Sequence, residues 1–341
     1  MAFSITVESI TGIVMKEEMT DMKNVVVIEN SYDEVLKKKI QKKVEEYGYA
    51  CCFFASQPEA EQSDCLKDCE ILYGQADSIL KKLPSLKLLH LNSAGNDRYL
   101  DHPDLKEDVI LSNASGSFGV SIAEHLIMQT LNLLRDGRMY MHAQKEHRYE
   151  RPHEIGGIVR SVITVIGTGN IGEEYAKRAR AFMPKKIIGV NRSGRVSEYF
   201  DETVAVEKLD EVLPQTDILV LCVPRTEKTT HLISSERLAR MKPSAILLNV
   251  GRGNAIDEDA LMQALNQHQI AGAALDVFQN EPVEKDSGLW DTENLLITPH
   301  ISGNLTLQYT RERNVEIFLD QLERYCTNKE LINVVDCSLG Y

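Results

Sequence analysis

Residues 161–172 read SVITVIGTGNIG, a run of β-branched residues that ends in the pattern G-x-G-x-x-G. Apolar residues then recur at three- and four-residue spacing, which predicts a helix that begins at this point. Gly167 is expected to allow the tight turn, Gly169 to let a pyrophosphate approach the backbone, and Gly172 to let the helix pack on the strand. The helix start adds unpaired N–H groups and a partial positive charge. Glycine-rich turns without a ligand are common, but the strand before this one and the helix after it favour a dinucleotide site. We expect this site to include Gly167, Thr168, Gly169, Asn170, Ile171 and Gly172.

The residues after the next predicted strand, 186–190, bear on which dinucleotide binds. An NAD-binding unit normally has Asp or Glu there to hold the ribose 2′-hydroxyl. Here the chain reads Asn191-Arg192-Ser193, so the acid that would repel a 2′-phosphate is missing. Arg192 can bind that phosphate through two N–H groups, and Ser193 can donate a hydroxyl hydrogen bond. Alternatively, Arg192 and Arg195 are solvated loop residues. We predict that NADP is preferred, with NAD possible, and that the residues at 191–193 contact the cofactor.

The composition is that of a globular protein and disfavours several classes of function. The chain has 341 residues, a length that is enough for two domains with sizeable cores. Hydrophobic residues make up 43% and charged residues 26% of it. No apolar run approaches the roughly 18 residues that span a membrane, so no membrane partner is predicted. The formal net charge of −13, without a basic stripe, argues against nucleic acid as a partner. A small anionic substrate stays compatible with this charge, because only local charge matters at a pocket.

The seven cysteines follow no disulfide or metal-binding spacing. Cys51 and Cys52 lie in an apolar run, so packing is their expected role. Cys65 and Cys69 could share one face of a helix, but no second pair of ligands lies nearby, and we predict no metal site. Reduced thiols and the absence of a secretory signal predict a cytoplasmic protein. Residues 1–21 are interpreted as an N-terminal extension whose purpose the sequence does not indicate.

Strand-like and helical segments alternate from residue 22 to residue 112, which predicts a small parallel α/β domain. The predicted strands are residues 24–28, 49–54, 70–73, 86–91 and 109–111. Ser31 is expected to cap the helix that follows the first strand. A helix predicted over residues 117–136 is apolar nearly all round, which is typical of a domain junction or a dimer contact, although an ordinary core helix is the alternative. Residues 138–151 carry no clear pattern.

Beyond the glycine-rich stretch, continuous apolar strands predict a second parallel sheet that is covered on both faces. These strands are residues 218–223, 245–250 and 272–277. Ligands bind such sheets at the carboxyl ends of the strands. The residues found at these ends are Val223, Pro224, Val250, Arg252, Asp276 and the segment Thr298-Pro299-His300.

Three residues near these ends have complementary chemistry for the reduction of a 2-oxo acid. Arg252 supplies a planar fork that can hold a carboxylate. His300 can donate a proton to a carbonyl oxygen. Glu281 can orient the histidine ring and favour its charged form. Each has a simpler interpretation when it is taken alone, as part of a surface turn, a loop or a strand end.

The chain resembles the D-isomer-specific 2-hydroxyacid dehydrogenases, the family of glyoxylate/hydroxypyruvate reductases and D-3-phosphoglycerate dehydrogenase. The resemblance covers nearly everything from Met22 onward, in the family order. The matching stretches are Ser93-Ala94-Gly95, Asn113-Ala114, Ile122-Ala123-Glu124-His125, residues 167–172, Met241-Lys242-Pro243, Asn249-Val250-Gly251-Arg252-Gly253, Ala274-Leu275-Asp276-Val277-Phe278, Glu281-Pro282, Thr298-Pro299-His300 and Asn333-Val334-Val335.

The resemblance implies a fold with two domains that close over a cleft. One is a Rossmann-type, doubly wound cofactor domain, residues 113–301. The other is a discontinuous flavodoxin-like substrate domain, residues 22–112 and 302–341. The helix after Asn113 would help to form a homodimer.

The resemblance also implies the roles of individual residues. Arg252 would bind substrate, His300 would be the acid/base and Glu281 its partner. Asp276 would contact the nicotinamide carboxamide. The amides around Ser93, Ala94 and Gly95 would hold the substrate carboxylate, and Tyr73 would lie at the pocket wall.

Departures from the family patterns narrow the substrate. Residues 73–76 offer no arginine of the kind with which D-3-phosphoglycerate dehydrogenases bind phosphate. Glu281 is an acid, whereas formate dehydrogenases have glutamine there, and residues 301–304 lack the aromatic residue of the D-lactate type. We therefore predict an NADP-dependent reductase of a small 2-oxo acid such as glyoxylate or hydroxypyruvate. D-3-phosphoglycerate dehydrogenase and a cofactor-sensing, corepressor-like binding protein are the alternatives.

Overall fold

The computed structural model describes residues 22–151 and 154–337. The predicted N-terminal extension, residues 1–21, lies outside this range. The described chain forms two compact units, and each is considered by itself. Unit 1 contains residues up to 115 and from 311 onward, and unit 2 contains residues 116–310.

Unit 1 is built on a five-stranded parallel sheet with the order β2-β1-β3-β4-β5. Its strands are β1 (Asn24–Ile28), β2 (Ala50–Phe54), β3 (Cys69–Gly74), β4 (Leu88–His90) and β5 (Ile110–Ser112). Helices α1 (Glu34–Glu46) and α2 (Gln57–Ala60) lie between the first three strands in sequence. The strand order is that of flavodoxin-like sheets.

Unit 2 contains a seven-stranded parallel sheet with the order β12-β11-β10-β9-β6-β7-β8. Its helices are α3 (Gly119–Leu134), α4 (Gly137–Lys145), α5 (Asn170–Arg180), α6 (Leu209–Val212), α7 (Ser235–Leu238) and α8 (Glu258–Asn266). Its strands are β6 (Val162–Ile166), β7 (Lys186–Asn191), β8 (Glu202–Ala205), β9 (Ile218–Leu221), β10 (Ile246–Asn249), β11 (Gly272–Leu275) and β12 (Leu295–Ile297). A last helix, α9 (Gln308–Cys326), begins in unit 2 and continues in unit 1.

The order of the second sheet is that of a Rossmann fold with one strand added at an edge. Its strands β6, β9 and β10 are fully buried along their length, as expected for a parallel sheet with both faces covered. The predicted α/β fold with a Rossmann-type sheet is therefore confirmed.

Several local predictions need correction. The residue that caps α1 is Asp33 and not Ser31, because the Asp33 side chain accepts a hydrogen bond from the Leu36 amide. Residues 138–151, which carry no clear pattern, contain all of α4 except its first residue, Gly137. The sequence patterns do not indicate β8, because it is a partly exposed edge strand without a continuous apolar run.

Cys52 of β2 and Cys65 form a disulfide. This pairing corrects the expectation of reduced thiols for these two residues, although both also pack against the core of unit 1. The reason is tertiary: Cys65 lies in a 3-10 turn that folds back toward β2, 13 residues after Cys52. Spacing alone does not determine which cysteines meet.

No helix in the described ranges 22–151 and 154–337 is both long and apolar enough to cross a membrane.

The centre of unit 1 contains an aromatic cluster around Tyr73. The Tyr73 ring stacks on Phe318 with ring centroids 4.0 Å apart, and its hydroxyl is hydrogen-bonded to Tyr32 and Asn314. His90 packs against the same two rings and is fully buried. Its Nδ1 is 2.8 Å from Ser112 Oγ, while Nε2 has no hydrogen-bond partner among the described residues. Burial lowers the pKa of His90 to about 3.

The buried His90 predicts a specific loss of stability in acid. Below the ordinary pKa of histidine the unfolded chain binds a proton that the folded protein rejects, so the free energy of unfolding falls as the pH drops from about 6.5 toward 3. A His90→Gln variant cannot titrate. Its loss of unfolding free energy between pH 7 and pH 5 should be about 2 kcal/mol smaller than that of the wild type. Urea unfolding at both pH values measures this difference. The control is His147→Gln, a substitution at an exposed histidine. If the free energy of unfolding of His90→Gln fell between pH 7 and pH 5 by as much as that of the wild type, the prediction would be contradicted.

Candidate functional site

The glycine-rich turn after β6 has the geometry of a phosphate-binding loop. Gly167 has a φ of +100°, and a Cβ on Gly172 would lie 2.1 Å from the Gly167 carbonyl oxygen. Both positions therefore exclude a side chain. Gly169 differs, because a Cβ there would meet no atom within 4 Å. The backbone at Gly169 thus faces open space at the start of α5, and no side chain caps this helix. Its first N–H groups are free to receive a phosphate.

The turn after β7 is organised by Asn191. Its Oδ1 accepts hydrogen bonds from the Ser193 and Arg195 amides, and its Nδ2 donates to Thr168 in the glycine-rich turn at 3.0 Å. The Asn191 side chain therefore ties this turn to the phosphate-binding loop. Arg192 and Ser193 are exposed, and within the described chain the Arg192 guanidinium has no acidic partner within 4 Å. These residues fit a nucleotide that carries a 2′-phosphate.

Backbone segments after β9 and β10 come together beside this loop. Gly251 packs so closely on Val223 that a Cβ would lie 2.6 Å from the Val223 carbonyl oxygen. Val223 and Val250 are buried, with 9% and 8% of their surface exposed, and Pro224 follows on the surface. Strands β6, β9 and β10 are neighbours in the sheet, so the predicted cofactor residues occupy one edge of it.

His300 and Glu281 form a direct pair. His300 Nδ1 lies 2.7 Å from Glu281 Oε2, and half of the His300 side chain is exposed. The other carboxylate oxygen of Glu281 accepts the Phe278 amide at 2.9 Å, which fixes the carboxylate in its loop. With Nδ1 held by the carboxylate, Nε2 is the ring nitrogen left to exchange a proton with a ligand.

Arg252 follows β10, the strand beside β11. The chain next to Arg252 touches the Glu281 loop, because a Cβ on Gly253 would lie 1.8 Å from the Phe278 carbonyl carbon. Only glycine allows this approach of the two backbones. Arg252 Nη1 donates to the Gly251 carbonyl oxygen at 2.8 Å, and this hydrogen bond orients the guanidinium group. The structure thus places Arg252, Glu281 and His300 after three adjacent strands, β10, β11 and β12.

Asp276 holds the turn that carries His300. Its carboxylate accepts hydrogen bonds from the Ile301 amide at 3.0 Å, the Ser302 amide at 2.9 Å and the Thr298 hydroxyl at 2.6 Å. His300 has a φ of +52°, a left-handed conformation that is uncommon outside glycine. These bonds and the one from the His300 amide to the Asp276 carbonyl oxygen keep that conformation in place.

The role of Thr298 was not predicted from the sequence. Its position two residues before His300 is visible there, but its bond to Asp276 depends on the pairing of β11 with β12. The Asp276 side chain is only 1% exposed, so its carboxylate faces this turn. A contact between Asp276 and a nicotinamide remains a prediction.

In unit 1, the loop at Ser93, Ala94 and Gly95 follows β4. Ser93 Oγ donates to the Gly95 carbonyl oxygen at 2.8 Å, and Asn113 Nδ2 donates to the Ala94 carbonyl oxygen at 3.0 Å. The Ala94 and Gly95 carbonyl oxygens therefore already accept hydrogen bonds from side chains. Within residues 22–151 and 154–337, the Ala94 and Gly95 amides donate to no protein acceptor. The loop therefore presents free N–H groups, as an anion site requires.

Tyr73 does not lie where substrate binding would require it. The side chain is fully buried, and its hydroxyl is engaged by Tyr32 and Asn314. The prediction that Tyr73 contacts the substrate is corrected for this reason. Both faces of this parallel sheet are covered, so Tyr73 is buried like its neighbour Leu72, and Gln75 just beyond the strand is partly exposed instead.

Among the described residues, no cluster of three or more His, Cys, Asp or Glu side chains is arranged to hold a metal ion.

Comparisons with known proteins agree on one family. Residues 127–302 match the family model described as "D-isomer specific 2-hydroxyacid dehydrogenase, NAD binding domain". A glyoxylate reductase of Korarchaeum cryptofilum is 30% identical over 75% of this chain and 80% of its own length.

Two solved structures are similar over nearly the whole chain. A D-isomer specific 2-hydroxyacid dehydrogenase family protein of Aeromonas salmonicida superimposes with a TM-score of 0.82 at 31% identity, covering 93% of this chain and 99% of that one. An NADPH-dependent glyoxylate/hydroxypyruvate reductase of Sinorhizobium meliloti, in complex with NADP and sulfate, has a TM-score of 0.79 at 26% identity, covering 94% and 100%.

The hydrogen bonds of Asp276 predict a loss of stability when its charge is removed. In Asp276→Asn, an amide N–H would face a backbone N–H, and at least one donor of the turn would lose its acceptor. The free energy of unfolding should fall by about 1–3 kcal/mol. Urea unfolding measures it, with the exposed Asp286→Asn as the control, which should stay within about 0.5 kcal/mol of the wild type. Equal stability of Asp276→Asn and the wild type would show that the carboxylate does not hold this turn.

Proposed function

The chain belongs to the family of D-isomer specific 2-hydroxyacid dehydrogenases, and from this premise we propose that it is an NADPH-preferring reductase of small 2-oxo acids such as glyoxylate or hydroxypyruvate. Members of this family are oxidoreductases that use a nicotinamide cofactor and act on 2-oxo or 2-hydroxy acids. The preference for NADPH, the substrate and the residue roles below are parts of the proposal.

The observation that carries the proposal is the pair formed by His300 and Glu281. Reduction of a 2-oxo acid requires a proton for the carbonyl oxygen, and His300 Nε2 is the proposed donor. Glu281 Oε2 accepts from Nδ1 at 2.7 Å, which orients the ring and balances the charge of the imidazolium. A histidine buried without a carboxylate could not serve in this way, and His90 in unit 1 is such a case.

Two groups are proposed to bind the substrate carboxylate. The first is the Arg252 guanidinium, whose planar N–H groups match a carboxylate in two parallel hydrogen bonds. The second is the pair of free amides at Ala94 and Gly95, next to Ser93. Two parallel hydrogen bonds from either group would orient the carboxylate and with it the adjacent carbonyl, which lowers the entropic part of the barrier.

The cofactor preference rests on the turn after β7. A bound nicotinamide supplies the hydride, and the residues of the chain determine which nucleotide is held. The Asn191 side chain keeps the turn beside the glycine-rich loop, Arg192 is free of acidic partners within the described chain, and Ser193 is exposed. The similarity to a reductase in complex with NADP supports the same preference.

A homodimer and a cytoplasmic location are proposed with this function. Exposed apolar side chains on α3 and α4, Met128, Tyr140 and Met141, support a second copy of the chain as the partner. The remaining free cysteines support a reducing compartment, and the disulfide between Cys52 and Cys65 is the observation against it.

Removal of the proposed proton donor should abolish most of the catalysis and leave coenzyme binding intact. We expect His300→Ala to lower kcat by about 10²- to 10⁴-fold, because the carbonyl oxygen loses its acid. The dissociation constant of NADPH, measured by fluorescence titration, should stay unchanged. The matched control is the exposed His142→Ala, which should keep wild-type turnover. A His300→Ala enzyme with wild-type kcat would refute the assignment.

Removal of Arg192 should affect only the phosphorylated coenzyme. In Arg192→Ala, the KM for NADPH should rise about tenfold or more, because a charge-assisted hydrogen bond to the 2′-phosphate is lost. The KM for NADH, which lacks that phosphate, serves as the internal control and should change little. Steady-state kinetics with both coenzymes measures the two constants. Equal changes for NADPH and NADH would mean that Arg192 does not recognise the phosphate.

A further inference from the structure

A carboxylate lies at the same edge of unit 1 as the proposed carboxylate-binding loop. Glu29 follows β1, Gln75 follows β3, and Asn92 and Ser93 lie just beyond β4. Strands β1, β3 and β4 are adjacent and parallel, so these residues meet at the carboxyl edge of the sheet. Ligands of open α/β sheets bind at this edge.

Hydrogen bonds join Glu29 to the loop through two intermediate side chains. Asn92 Nδ2 donates to Glu29 Oε2 at 2.6 Å, and Gln75 Nε2 donates to Asn92 Oδ1 and to Ser93 Oγ at 3.0 Å each. Tyr99 holds the other end of Gln75 by donating to its Oε1 at 3.1 Å. This network fixes the position of the Glu29 carboxylate relative to Ser93, where the loop begins.

Glu29 lacks a cation of its own. Within the described chain, no Lys, Arg or His nitrogen lies within 4 Å of its carboxylate, whereas surface acids such as Asp108 and Asp201 pair with a lysine or an arginine. Its oxygens accept only from the Ser31 amide and from Asn92, so each keeps a lone pair for a further donor. The side chain is half-buried, and its charge helps burial to raise the pKa of the Tyr32 and Tyr73 hydroxyls. The negative charge of Glu29 therefore acts on buried groups inside unit 1.

We propose that Glu29 determines the charge of the substrate that this protein accepts. It selects 2-oxo monoacids whose remaining part is uncharged and carries a hydrogen-bond donor, such as a hydroxyl group, and it rejects acids with a second negative charge. The inference rests on the proposed function, because it requires that the substrate carboxylate bind the amides of Ala94 and Gly95.

The physical reason is that two intermediate side chains connect the loop to a carboxylate that has no cationic partner among the described residues. A substrate carboxylate on Ala94 and Gly95 leaves its other atoms along the edge where Glu29, Gln75 and Ser93 lie. A second carboxylate or a phosphate there would meet a negative charge in a half-buried, weakly screened setting. A hydroxyl group would instead find free lone pairs on the Glu29 carboxylate, to which it can donate. The alternative is that Glu29 only braces Asn92, and this alternative predicts no effect of its charge on the choice of substrate.

The test compares one monoacid and one diacid as substrates of the intact protein with NADPH. Hydroxypyruvate is the monoacid with a hydroxyl group, and oxaloacetate is the diacid. We expect the wild type to prefer hydroxypyruvate in kcat/KM. In Glu29→Gln, which keeps an acceptor for Asn92 but removes the charge, the ratio of kcat/KM for oxaloacetate to that for hydroxypyruvate should rise about tenfold or more.

The control variant is Glu46→Gln at the end of α1, which makes the same change in net charge at a surface position. It should keep the wild-type ratio. Thermal unfolding of all three proteins confirms that each is folded. An unchanged ratio in a folded Glu29→Gln would overturn the inference and leave the proposed function standing. A lack of turnover of every 2-oxo acid by the wild type would overturn the proposed function, and the inference with it.

Discussion

The candidate site depends on the hydrogen bonds that the Asp276 carboxylate accepts. This carboxylate lies at the end of a central strand, is almost completely buried, and accepts two backbone amides and one hydroxyl from the turn that carries His300. A histidine in the left-handed conformation is costly by itself, and this set of bonds offsets that cost. Because the turn is fixed, the His300 ring can form its hydrogen bond with Glu281. The orientation of this pair therefore depends on Asp276 at the end of a sheet strand, and not only on the loop.

Close approach of backbones is the second constraint, and glycine makes it possible. Gly253 brings the chain beside Arg252 onto the backbone of Phe278, whose amide in turn holds Glu281. Gly172 does the same for α5 and the turn at Gly167. In the proposed function, the first set of contacts serves the substrate and the second serves the phosphates of the cofactor. Both rely on the same physical fact, that a Cβ at these positions would overlap a carbonyl group.

The two units carry opposite charges at the positions proposed to bind ligands. In unit 2, Arg252 and Arg192 are cations at strand ends, where anionic groups are expected to bind. In unit 1, free amides at Ala94 and Gly95 lie beside an unpaired carboxylate, Glu29. If Glu29 acts as proposed, substrate choice depends on unit 1, whereas His300, the proposed proton donor, belongs to unit 2.

The sequence by itself determined the fold class, because continuous apolar strands and the glycine pattern at 167–172 depend on local periodicity and on turns that only glycine adopts. It also indicated Arg252, Glu281 and His300, since few residue types can hold a carboxylate and transfer a proton. Side-chain direction and long-range pairing were decided only by the tertiary structure. Tyr73 was expected in the pocket but points into the core, Cys52 meets Cys65, and Asp276 bonds to the turn around His300. Each of these depends on which strands and turns become neighbours, and residues far apart in sequence carry no local signal of that proximity.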